Sequence, residues 1–64
     1  MIEYLRMFSA QTDYHATMTR VYGGDPGAWP DGPFKHGSVR QRKWEALQKA
    51  TAEYQAAVRT HEHV

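Results

Sequence analysis

The sequence predicts an all-α protein, an antiparallel helical hairpin in which two long amphipathic helices are joined by a long Gly/Pro-rich loop. Three observations carry that prediction. Arg40, Trp44, Leu47, Thr51, Tyr54, Val58 and His61 follow one another at steps of four and three residues, the interval that keeps side chains on one helix face. Tyr4, Phe8, Gln11, His15, Met18 and Tyr22 repeat the pattern near the N-terminus. Between the two runs lie all five glycines and all three prolines of the 64-residue chain, from Gly23 to Gly37, a composition that no helix or central strand tolerates. The expected layout is one domain with a helix over 3–22, a loop over 23–38 and a helix over 39–61.

In the first helix Met7, Tyr14 and Val21 widen the apolar stripe, and Arg6, Ser9, Asp13, Thr17 and Arg20 fall on the far side. Its threonines, its one valine and its aromatics are weak helix formers, so packing must hold it. Gly23 suits the left-handed position that closes a helix. Asp25-Pro26-Gly27 and Pro30-Asp31-Gly32 read as turns, and Trp29-Pro30 is the candidate cis bond. A connection of about fifteen residues is long for a helical hairpin. Trp29 and Phe34 within it argue for an ordered loop, because a flexible linker has no use for large aromatics. Ser38 is placed to cap the second helix. There, Glu45, Lys49 and Glu53 alternate in charge at i,i+4 steps on the face away from the apolar line. Ala46, Ala50 and Ala57 form a second line that widens the non-polar surface beyond what one facing helix would cover.

Folding the helices back on each other, with paired numbers summing to about 62, sets Tyr4 against Val58, Phe8 against Tyr54, Gln11 against Thr51, His15 against Leu47, Met18 against Trp44 and Tyr22 against Arg40. Two helices bury little, and with no cysteine neither disulfides nor thiolate–metal sites staple the fold. Association is therefore expected, as a symmetric dimer completing a four-helix bundle or as a subunit docked on a larger protein. The absence of cysteine also fits a reducing cytoplasm. No apolar run is long enough for a signal peptide or membrane span, so no membrane partner is expected.

The net charge of +1 is unevenly spread: residues 1–32 hold four acids and two bases, and the remainder holds six bases and three acids. Lys35, His36, Arg40, Arg42 and Lys43 crowd the start of the second helix, where the macrodipole is already positive. That cluster fits an anionic partner, with Trp29 or Phe34 stacking beside it, and makes a nucleic-acid-binding accessory protein the alternative function. The pI near 8.1 is low for a dedicated nucleic-acid binder. Arg40, on the line of Trp44, is placed to stack on Tyr22. His61 and His63 point apart on a helix and His15 is distant, so no metal site is expected. Ser9 and Ser38 lie in no nucleophile motif, no phosphate loop is present, and the chain is read as non-enzymatic and without cofactor. The leading reading is a small protein-binding module (accessory, inhibitor or adaptor) whose partner is another protein or a second copy. Its candidate contact residues are Trp29, Phe34, Lys35, Arg40, Arg42, Lys43, Ala46, Ala50 and Ala57.

Overall fold

A computed structural model describes residues 2–62. Helix α1 runs Ile2–Tyr22 and helix α2 runs Val39–Glu62, each within a residue or two of the expected bounds, and they pack against each other with no strand among the described residues. A single 3-10 turn, Pro26–Ala28, interrupts the connection.

Local chemistry explains each boundary. Gly23 takes φ +95° and donates its amide to the Thr19 carbonyl at 2.9 Å, closing α1 with the left-handed residue that glycine adopts without a Cβ clash. Asp25 accepts the Gly27 amide on Oδ1 at 3.1 Å, the local bond that makes Asp-Pro-Gly a turn. At the other end of the loop Ser38 donates its amide to the Lys35 carbonyl, with Gly37 at φ +83° in the third turn position, where a type II turn demands glycine. The Ser38 hydroxyl then accepts the Gln41 amide at 3.1 Å and donates to the Lys35 carbonyl at 2.7 Å. Ser38 is thus the N-cap of α2, satisfying a donor that has no partner inside the helix. The cis peptide is Gly32–Pro33, not Trp29–Pro30.

The core is small. Met18 and Ala50 are its buried apolar residues, with Met18 at 0% exposure, and Thr17 and Gln41 are its buried polar ones. Thr17 is accommodated because its hydroxyl donates to the Asp13 carbonyl within the same helix. The hairpin measures 43 × 23 × 17 Å with a radius of gyration of 13.4 Å, against about 11 Å for a globular chain of this length. Its accessible surface is 4828 Å², where a monomer of this mass averages about 4,200 Å².

Helix α2 meets α1 with the anticipated line: Trp44, Leu47, Thr51, Tyr54 and Val58 are all half-buried. Helix α1 does not. Met7, Ala10 and Tyr14 are half-buried and Thr17 and Met18 buried, whereas Tyr4, Phe8, Gln11, His15 and Tyr22 are exposed. The packing face is rotated by roughly a quarter turn from the expected stripe. Two features account for the rotation. Ala10 and Thr17 are smaller than Phe8 and Gln11 and let the helices approach beside buried Ala50. His15, expected against Leu47, lies instead under Trp29, with ring centroids 5.1 Å apart. At the open end Tyr4 packs on Tyr54 at 5.7 Å rather than facing Val58, filling the place that Phe8 vacates by turning outward.

Candidate functional site

The loop closes one end of the hairpin as a set of interlocking side chains. Trp29 donates its indole N–H to the Gly23 carbonyl at 2.9 Å and sets its ring edge-on to His15 and Tyr14. Burial, then the Asp31 carboxylate, then Tyr22 push the Tyr14 phenol above its ordinary pKa. Tyr14 therefore favours the fold in its neutral form, and that contribution is lost only as pH rises through the raised value. Gly32 lies directly on Trp44: a Cβ added there would overlap the indole ring at its nitrogen. Gln41, which the sequence did not single out, ties the loop to α2. Its side-chain oxygen accepts the Phe34 amide at 2.6 Å and its amide nitrogen donates to Glu45 at 2.8 Å, so both ends of this buried group are satisfied.

The basic cluster divides on the same surface. Arg40 is half-buried, donates to the Tyr22 hydroxyl, and holds its guanidinium 5.7 Å from the Tyr22 ring centre and 5.8 Å from that of Phe34. Lys43 pairs with Asp13 at 3.6 Å, with both side chains substantially solvated. Such a pair contributes little to stability. Lys35, His36 and Arg42 remain exposed.

The alanine line is divided too. Ala50 is buried in the hairpin itself and Ala57 is half-buried, so the line does not stand free as a docking stripe; Ala46 alone of the three is exposed. Ala46 and Ala50 border a shallow groove of about 300 Å³ with Arg6, Ser9, Ala10, Asp13 and Lys43. Among the described residues no cluster of three or more His, Asp or Glu side chains is placed to hold a metal ion. His63 lies outside the described residues, so the spacing of the H-x-H pair is not defined. No described helix is long and apolar enough to cross a membrane.

The surface that sequence reasoning missed is the outer face of α1. Tyr4, Leu5, Phe8, Ser9, Gln11, Thr12, His15, Ala16, Thr19 and Tyr22 cover about half of the helix circumference at 100° per residue, and all ten are exposed. No acid, lysine or arginine is among them: Glu3, Arg6, Asp13 and Arg20, the charged residues of α1, all lie on the other half. Leu5 is 62% exposed and Phe8 56%, with Tyr4 stacked on Phe8 at 6.4 Å and Ile2 at the edge of the patch. The solvated face of α2, by contrast, carries Arg42, Glu45, Lys49 and Arg59. The lack of charge along α1 was visible in the sequence. It was masked because the same aromatics also fit a buried stripe.

No protein-family model, curated protein or solved structure matches this chain.

Proposed function

We propose that this chain is a small non-enzymatic protein-binding module working in the cytoplasm, as an accessory, inhibitor or adaptor, whose two helices complete a bundle with another protein or a second copy. The observation that carries the reading is the outer face of α1, ten exposed positions without a formal charge and with aromatic and aliphatic residues at its N-terminal end. Depletion of charge and enrichment in aromatics distinguish the centre of a protein interface from ordinary solvated surface. Arg6, Asp13 and Arg20 flank it as a polar rim. Phe34, Lys35 and Arg42 provide a second, smaller set of contacts at the loop end. Trp29 is engaged by the chain's own Tyr14, His15 and Gly23, so Trp29→Ala would disturb the fold and any contact together.

The nucleic-acid alternative is weakened by the engagement of Arg40 and Lys43 within the chain, which leaves Lys35, His36 and Arg42 as the exposed members of the cluster. The two readings separate by salt. Association through an apolar face, followed by sedimentation at micromolar concentration, should change little with ionic strength and should be lost in Phe8→Glu. Sub-micromolar binding of an oligonucleotide at physiological salt, with a steep salt slope that falls when Lys35 and Arg42 are neutralised, would overturn the proposal.

A further inference from the structure

We infer that the outer face of α1 is a self-recognition surface, on which a second copy of this chain docks its own α1 antiparallel about a two-fold axis that crosses the outer face between Phe8 and Thr12, level with Ala10 along the helix. The inference rests on the protein-binding reading above and names its partner. Four observations lead to it.

The first is area. Tyr4 and Phe8 are about half exposed, and with roughly 150–250 Å² per aromatic side chain they offer on the order of 200 Å², to which Ile2 and Leu5, 58% and 62% exposed, add a comparable amount. Thr12, Ala16 and the part of His15 that Trp29 leaves exposed extend the contact to roughly 600 Å² per copy, or about 1,200 Å² in the pair, which is where specific interfaces begin.

The second is the polar content of the face. The Thr12 hydroxyl already donates to the Phe8 carbonyl at 3.0 Å, so Thr12 can be covered without stranding a hydrogen-bond donor.

The third is shape and charge under two-fold symmetry. An isologous contact must suit itself. Antiparallel pairing about an axis between Phe8 and Thr12 lays the large Phe8 over the small Thr12 of the second copy and Leu5 over its Ala16. The same operation keeps the charged flanks on one side and brings Arg6 level with Asp13 of the second copy. Asp13 is 61% exposed beyond its 3.6 Å pairing with Lys43, and among the described residues no acid pairs with Arg6. Opposite charges therefore meet at the rim and not beneath the apolar contact, where pairing would be costly.

The fourth argues against a lipid surface. Helices that lie in a membrane interface carry a Lys/Arg-rich polar face, whereas α1 balances Glu3 and Asp13 against Arg6 and Arg20.

The test is sedimentation equilibrium of the whole chain at micromolar concentration, with circular dichroism to report helix. The wild type is expected near twice 7.4 kDa, and Leu5→Glu and Phe8→Glu near 7.4 kDa with helix retained. Should either variant lose helix, Arg6→Glu provides the second arm. It and Asp13→Arg are each expected to weaken the dimer several-fold, and the double exchange to recover most of the loss. Because the chain has no cysteine, Thr12→Cys provides a geometric check. The proposed axis puts the two copies of that position within about 10 Å, so a short bis-maleimide should join them, whereas Lys49→Cys on the opposite face should stay unlinked. A dimer that persists in Phe8→Glu and dissociates in Ala46→Glu would overturn this surface but keep the chain a protein-binding module. A monomeric wild type that partitions onto anionic vesicles, with the partition lost in Phe8→Glu, would overturn both. A monomeric wild type without vesicle binding would overturn self-recognition alone.

Discussion

The two ends of this 43 Å hairpin are held by different means. At the loop end Trp29 bonds to Gly23 and lies across His15, Arg40 sits between Tyr22 and Phe34, Gln41 joins Phe34 to Glu45, and Gly32 lies on the Trp44 ring. These are directional contacts, some within the loop and its flanks and others, Trp29 with His15 and Arg40 with Tyr22, between residues far apart in sequence. At the open end Tyr4 against Tyr54 is the ring contact between the helices, and Ile2, Leu5 and Phe8 face outward. A loop that does this much positioning frees the far end from the task. Large apolar side chains can stay exposed at the open end without unravelling the fold, and an interface is where such residues have a use.

The contrast is broken most directly by comparing truncations at its two sides. Met18→Ala removes the one large side chain of the described residues that is fully buried, and should cost about 2–5 kcal/mol in urea unfolding followed by circular dichroism. Leu5→Ala, measured at concentrations where only monomer is present, should stay within about 0.5 kcal/mol. Equal losses would mean that the open end is as tightly built as the loop end.

Within the loop, glycine positions sharpen the point. Gly32→Ala would drive a methyl into the Trp44 ring, and displacing a packed indole should cost about 1–3 kcal/mol. At Gly24 no atom lies within 4 Å of an added Cβ, so Gly24→Ala should be near neutral in the same assay. A tolerated Gly32→Ala would show that the loop rests loosely on α2.

The smallest effect expected is at the basic start of α2. Arg40→Lys keeps the charge but loses the planar group between two rings, for a cost of roughly 0.5–1 kcal/mol. Arg42→Lys, on an exposed position, should cost almost nothing. Matching, negligible losses would remove Arg40 from the structural contacts of the loop end and return it to the pool of cations facing a partner.

Helix existence and extent, the caps at Gly23 and Ser38, the Asp25-Pro26-Gly27 turn and the contact face of α2 were all legible in the sequence, because each depends on neighbours within a few residues. The lines through Trp44, Leu47, Tyr54 and Val58 leave the rest of α2 polar or small apart from Val39 at its first position, so its periodicity has one solution. Helix α1 does not have that property. Tyr4, Leu5, Met7, Phe8, Tyr14, Met18 and Val21 spread over more than half of its circumference, and more than one face satisfies a 3.6-residue period. Which of them turned inward was settled by contacts that a linear pattern does not contain: Trp29 folding back onto His15, and small Ala10 and Thr17 admitting close approach beside Ala50. The burial of Ala50 follows from that same approach, as does the release of Phe8 and Leu5 to the surface. The sequence by itself therefore determined two helices and how each begins and ends, through local hydrogen bonding and backbone preference. Tertiary structure alone decided that the uncharged side of α1 was the one left exposed, because that choice is a competition between two nearly equal apolar faces and is resolved by where Trp29 seats on Tyr14 and His15 and by the close approach that Ala10 and Thr17 permit.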